Sequence, residues 1–202
     1  ILAVKPQVMG DVLAQIGSSL KTVRFVMSVA AGLTRDFYQP FFQPDTAIVR
    51  AMPNTPAAIG EGLVVCVGAR NQEERELTHL LLQPMGNIHW IDDEDLMHAV
   101  VAVSGSGPAY LFLMADILAK KGVDLGLPTV LAQALAAGTI RGAGALMEAC
   151  DEDPTELKKQ VASPGGTTQA ALDVLEHKDG LQILIDQAMD ACAQRSRELA
   201  RM

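Results

Sequence analysis

Basic charge is scarce in this chain: across 202 residues, 16 Lys and Arg face 24 Asp and Glu, a formal net charge of −8. That argues against a sequence-independent nucleic-acid binder, which needs clustered cations to displace counterions from phosphates. Aromatics are scarce too, at 4%, so any core is built mostly of Ala, Val, Leu, Ile and Met, a set suited to close helix packing. The three cysteines, Cys66, Cys150 and Cys192, are odd in number and far apart, with no CxxC or Cys/His spacing. They read as reduced thiols of a cytoplasmic protein, not as a disulfide framework or metal site. His79, His89, His98 and His177 are scattered without metal-ligand spacing, so no metal is expected and surface or packed histidines are. Neither GxSxG nor GxxxxGK[ST] occurs. No signal-peptide pattern opens the chain, because Ile1-Leu2-Ala3-Val4 meets Lys5-Pro6 at once. Leu96–Ala115 lacks Asp, Glu, Lys and Arg, but Ser104-Gly105-Ser106-Gly107-Pro108 interrupts it. A span so broken would leave backbone groups unsatisfied in lipid, which points to soluble core and no membrane partner.

With 49% hydrophobic and 20% charged residues, the chain can bury a real core. The first part reads as strands alternating with short helices. Ile1–Val4 is a short apolar run that starts without a preceding turn, so further residues are expected upstream of it. Val8–Leu20 has helical spacing, Phe25–Ala30 and Ala47–Met52 read as strands, and Phe37–Phe42 as a short helix or turn. Gly62–Gly68 is a strand between glycines, Gln72–Met85 a helix and Asn87–Ile91 a last strand. Beyond about residue 92 the pattern predicts helices only: 95–103, 108–121, 128–149, 154–162, 167–176 and 180–202. The fold class expected is α/β plus all-α, a partial doubly wound sheet over residues 1–92 followed by a helical domain over 93–202. Gly138, Gly142 and Gly144 lie inside the third of these helices. Each costs about 1 kcal/mol relative to Ala, and the return expected is close backbone approach of two helices at an oligomer interface.

Ser163-Pro164-Gly165-Gly166-Thr167-Thr168 leads into the apolar helix Ala170–Leu175. A glycine pair ahead of a helix exposes N–H groups that, with the positive end of the helix dipole, suit a small anion such as a carboxylate. Taken on spacing alone, an ordinary loop with a Thr cap is the commoner reading. Ser104–Tyr110 is a second Gly/Ser turn that could line a polar pocket; in isolation it reads as a tight connection between helices with glycines at positive φ. Val4-Lys5-Pro6, Ser28–Gly32 and Arg50–Pro56 each follow a strand. Ligands of open α/β sheets bind beyond the carboxyl ends of strands, so these could form one crevice or be three ordinary turns. Asp92–Asp95 and Asp151–Asp153 read as acidic runs favouring the helix that follows, and Trp90 and the methionines as core.

In series, Ala-Val-Lys-Pro (3–6), Ser-Val-Ala-Ala-Gly (28–32), Arg-Ala-Met-Pro-Asn-Thr-Pro (50–56), Ser-Gly-Ser-Gly-Pro-Ala-Tyr (104–110) and Ser-Pro-Gly-Gly-Thr-Thr (163–168), the last continuing through Glu176, resemble the pyrroline-5-carboxylate reductase family over essentially the whole chain. The resemblance implies an oxidoreductase acting on a CH–NH group. It would reduce the cyclic imine 1-pyrroline-5-carboxylate to L-proline with NADPH or NADH, the last step of proline biosynthesis. It further implies a Rossmann-type domain followed by a helical domain that forms homodimers, with assembly up to decamers, and an active site shared between subunits. Gly166, Thr167 and Thr168 would hold the substrate carboxylate, with Ser163 supporting the loop and the Thr168 hydroxyl reaching the imine nitrogen as the catalytic group. Ala3, Val4, Lys5, Pro6, Val29, Ala30 and Ala31 would line the cofactor, with Asn54 and Thr55 near the nicotinamide. Gln160 would contact the cofactor from the helical domain, at a position that is often Asn in the family.

One departure stands out: no GxGxxG or variant precedes Val4. The resemblance therefore implies an N-terminally truncated chain lacking at least one βαβ unit of about 30 residues, which would carry the phosphate turn and the determinants of NADP against NAD. Two other readings stay open. One is a reductase of the 3-hydroxyacid dehydrogenase kind using Lys120, Lys121, Lys158 or Lys159; the other is an oligomerising fragment without catalysis.

Overall fold

Apolar runs bounded by turn residues form four strands, β1 (Phe25–Ser28), β2 (Ala47–Pro53), β3 (Gly62–Val67) and β4 (Gly86–Trp90), in a sheet of order β1-β2-β3-β4. β1 runs parallel to β2 and β3 parallel to β4, whereas β2 and β3 are antiparallel. Connection length decides this. A parallel pair needs a crossover of about a dozen residues or more. The parallel connections carry α2 (Arg35–Tyr38) and α3 (Gln72–Leu82), while β2 and β3 are joined by a 3₁₀ turn over Thr55–Ile59. β4 begins at Gly86 with φ +129°, where a Cβ would lie 2.1 Å from the Gly62 carbonyl oxygen, so only glycine fits.

The computed structural model, which describes residues 1–200, divides into two units. The first comprises Ile1–Pro108 and the chain from Met189 onward. Side chains alternate between the two faces of its sheet, and along β1 and β2 both faces are buried. Val26 and Ile48 pack on one face with Met9 and Leu13 of α1 (Pro6–Gln15) and Tyr38 of α2. Met27, Val49, Val64 and Cys66 pack on the other with Leu82 of α3. Burial pushes the Cys66 thiol up to about 12, so it stays protonated. Trp90 flanks this second cluster and lies under Arg75, 4.6 Å from ring centroid to guanidinium carbon.

Several expectations need correction here. Ile1–Val4 forms a single parallel bridge, Leu2 to Ser28, in place of a strand. The helix expected over 8–20 is α1 followed by a 3₁₀ segment, Gly17–Thr22, with the break at Ile16-Gly17 where glycine weakens helix propagation. The two helices expected on either side of the Gly/Ser turn run on without a turn. A 3₁₀ segment (Glu94–Leu96), α4 (Met97–Val100), a π-helical segment (Val101–Gly105) and α5 (Gly107–Asp124) follow one another. Neither Gly105 nor Gly107 has positive φ; a Cβ on Gly105 would stand 3.0 Å from Met52 Cε. The stretch read as core is only partly buried in the single chain: Met97 and Ala102 are buried, whereas Leu96, Val103, Leu111 and Phe112 are exposed. His98 is one of the packed histidines: its Nδ1 lies 2.9 Å from Ser196 Oγ. Burial first, then Arg197 and Arg50, hold its pKa below the usual imidazole range.

The second unit, Ala109–Ala188, is helical: most of α5, then α6 (Thr129–Ala149), α7 (Pro154–Val161), α8 (Thr167–Leu175) and the start of α9 (Leu181–Ala200). Asp153 caps α7 by accepting from Thr155 and Glu156 amides, with Pro154 at the first position. Positions 201 and 202, expected to extend the last helix, lie outside the described residues. In this unit Ala132 and Ala136 are the residues buried in the single chain. Leu111, Leu113, Ile117, Val130, Leu135 and Leu146 are exposed, an apolar area of the kind that a partner chain covers.

α3 gives a pH prediction. Asn71 caps it, and the Glu74 carboxylate accepts from the Arg70 amide at 2.7 Å, the Arg70 guanidinium at 2.8 Å and Asn71 Nδ2 at 3.2 Å. Burial pushes the Glu74 pKa up, but the bonds from Arg70 and Asn71 outweigh it and hold the carboxyl below its usual range. A lowered folded value stabilises the fold above the unfolded value of about 4.3 and loses that contribution as pH falls through the folded one. Thermal melts stepped below about pH 5 should show a steeper loss in the wild type than in Glu74→Gln, which should be the less stable at pH 7; parallel profiles would refute the assignment.

Candidate active site

Strand polarity brings a first group of candidate residues together. The Leu2 amide donates to the Met27 carbonyl at 2.7 Å and the Val29 amide to the Leu2 carbonyl at 3.0 Å, so residues 2–4 run parallel beside β1 as β1 does beside β2. All three segments therefore end at one edge of the sheet. That edge brings together Ala3, Val4, Lys5 and Pro6, then Val29, Ala30 and Ala31, then Asn54 and Thr55. Lys5 is the residue before α1, and the first turn of α1 carries no acidic residue. Ser28 Oγ lies 2.6 Å from Tyr38 Oη and accepts from the Ala30 amide at 3.2 Å, which pins the chain as it leaves β1. Burial raises the Tyr38 pKa despite the Ser28 bond and Arg50, so the phenol stays protonated. Asn54 Oδ1 accepts from the Leu63 amide at 3.0 Å and holds the β2–β3 turn.

Small side chains at this edge leave room for a dinucleotide beyond the carboxyl ends of the strands. Arg50 was legible only as part of a motif. Its Nη1 donates to Glu94 Oε1 at 2.7 Å, and Arg35 reaches the same carboxylate through its amide and Nε. A charged residue within the apolar strand Ala47–Pro53 was the signal that a buried partner exists. Of the acidic run Asp92–Asp95, Asp93 serves the helix start, accepting from the Asp95 amide, while Glu94 is spent on the two arginines.

A second group of candidate residues lies in the helical unit. Pro164 and Gly165 are the central residues of a turn closed by the Gly166 amide donating to the Ser163 carbonyl at 2.9 Å. Proline second and glycine third, with Gly165 at φ +70°, is the type II pattern. Gly166, extended at φ −81° and ψ 172°, is the residue before α8. Its amide, expected among the anion donors, is thus already committed to the turn. The amides of Thr167, Thr168 and Gln169 have no intrahelical acceptor by helix geometry. No side chain caps them, and the first turn holds no acid. Thr167 is exposed and Thr168 half-buried.

Gln160 is exposed, and its Nε2 donates to Glu152. Of the lysines a hydroxyacid dehydrogenase would need, Lys158 pairs with Glu176, Lys159 with Glu156 and Lys120 with Asp116. Among the described residues no group of three His, Cys, Asp or Glu side chains is placed to hold a metal.

Residues 94–199 match the family model described as pyrroline-5-carboxylate reductase dimerisation. The pyrroline-5-carboxylate reductase of Synechocystis sp. is 42% identical over 100% of this chain and 74% of its own length. That of Pisum sativum is 39% identical over 99% of the chain and 73% of its length. Among solved structures, the pyrroline-5-carboxylate reductase of Coxiella burnetii superposes with a TM-score of 0.91 at 32% identity, covering 100% of this chain and 75% of that one. The pyrroline carboxylate reductase of Plasmodium falciparum, solved with NADP bound, gives 0.88 at 31% identity over 98% of this chain and 78% of its own. The expected fold class, a part of a Rossmann-type doubly wound sheet followed by a helical dimerisation segment, therefore holds.

Proposed function

This chain belongs to the pyrroline-5-carboxylate reductase family, and we propose that it binds the carboxylate of that reaction's substrate on the first turn of α8. The reaction is the reduction of 1-pyrroline-5-carboxylate to L-proline, closing proline biosynthesis, with NADPH or NADH as cofactor. The observation that carries the assignment is the Ser163–Gly166 turn, which delivers the acceptor-free amides of Thr167 and Thr168 at the start of an acid-free helix end. Ser163 and Gly166 act through the turn, its carbonyl and its amide being spent on each other. The Thr168 hydroxyl donates to the imine nitrogen and favours its protonated, more electrophilic form. The nicotinamide, when bound, supplies the hydride. Ala3, Val4, Lys5, Pro6, Val29, Ala30 and Ala31 line the dinucleotide, Asn54 and Thr55 stand by its reactive ring, and Gln160 keeps its carbonyl oxygen for a cofactor contact.

The chain forms homo-oligomers through its dimerisation segment. Further assembly up to a decamer, a cytoplasmic location and the lack of nucleic-acid or membrane partners complete this reading. The functional boundary falls near residue 92, which the family match beginning at residue 94 supports; residues 1–92 serve the cofactor and 93–202 the substrate and the dimer.

The test is NADPH oxidation on addition of pyrroline-5-carboxylate, with proline as product. Thr168→Ala should lose about tenfold in kcat/KM, the worth of a lost polar contact near the reacting nitrogen. Unchanged kinetics in the full-length enzyme would refute the role.

A further inference from the structure

The substrate turn is short, and Ser163, Pro164 and Gly165 are exposed, so packing does not hold it. The conformation of the turn sets the start of α8, and the pose of the helices on either side sets the direction in which its amides point. A side-chain contact joins these: Lys158 Nζ, in the last turn of α7, donates to Glu176 Oε1 at the C-terminal cap of α8. Glu176 sits where a carboxylate opposes the helix dipole, and a paired cation offsets that cost. The Lys159–Glu156 pair, by contrast, lies within α7 and joins nothing else.

We propose that Lys158 and Glu176 are positioning residues for the substrate turn, their ion pair closing the helix–turn–helix of residues 154–176 so that the Thr167 and Thr168 amides keep one aim. This rests on the reading that the first turn of α8 holds the substrate carboxylate. The lever is the helix itself. α8 has nine residues, about 13 Å of rigid rod. Freedom at its Glu176 end lets the rod tilt about the turn, and the tilt changes the direction in which the amides at its start point. The side chains are 43% and 50% exposed, so the pair is screened by water and the effect is moderate, about threefold. It falls on carboxylate binding, which the ground and transition states share, and so on KM rather than kcat.

Lys158→Met and Glu176→Gln should each raise KM for pyrroline-5-carboxylate about threefold, with kcat, KM for NADPH and the melting temperature unchanged. The charge swap Lys158→Glu with Glu176→Lys should restore KM, and Lys159→Met should leave everything as it was. Thr168→Ala is measured alongside. If Thr168→Ala impairs the enzyme while the Lys158 and Glu176 variants do not raise the imine KM, the clamp is overturned and the carboxylate site stands. A raised KM that the swap fails to rescue, or an equal rise in KM for NADPH, also overturns the clamp. If Thr168→Ala is without effect, the reading beneath it falls, and the clamp with it.

Discussion

Gly142→Leu should leave the subunit folded yet abolish the homodimer, and turnover with it. Gly142 lies in the middle of α6, where an added Cβ has nothing within 4 Å in the single chain, and the same holds at Gly138 and Gly144. Inside one subunit the substitution meets no neighbour and gains helix propensity, worth about 1 kcal/mol. Any loss must therefore come from outside the chain. The surroundings point the same way: α6 exposes Val130, Leu135, Leu146 and Met147 within the segment that matches a dimerisation family. Small residues along a helix let another backbone approach closely, and a Leu there overpacks the contact by about 1–3 kcal/mol or more at each symmetry-related site. Sedimentation should show monomer, circular dichroism a retained helix signal, and the coupled assay no proline. A variant that remains dimeric and fully active would show that α6 does not pack through this face.

Gly165→Val should cost about a hundredfold in kcat/KM with little change in melting temperature, whereas Gly165→Asn should stay within a few-fold of wild type. Space is not the issue, since a Cβ at Gly165 also meets nothing within 4 Å. Backbone conformation is. Gly165 has φ +70°, which a β-branched residue avoids and Asn tolerates. With Val the third position of the turn reverts to negative φ. The Gly166-to-Ser163 hydrogen bond opens, and the amides that follow move by an ångström or more, a displacement able to cost about a hundredfold at a reacting centre. Equal activity of the Val and Asn variants would mean that the turn does not aim the substrate.

Much of this was readable one segment at a time. The runs Phe25–Ser28, Ala47–Pro53 and Gly62–Val67 are rich in β-branched or apolar residues and end at Gly, Pro or small residues, and strands formed there. Pro164-Gly165 encodes its own turn, and Asp153-Pro154 its own helix start, because the atoms involved are neighbours in the chain. The π-helical segment was not readable. It differs from α-helix only in which carbonyl each amide selects, and the Ser106 amide takes Val101 at 2.8 Å.

By themselves, then, the residues determined local conformation, the helical nature of the second half and, through motifs in series, the reaction. Tertiary structure alone decided how distant charges and polar groups were spent. Glu94 went to Arg35 and Arg50, Glu176 to Lys158, and the Asn54 oxygen to Leu63. The physical reason is range. A turn or a cap is closed by atoms a few residues apart, so composition specifies it, whereas an ion pair across many residues exists only once packing has brought both segments together.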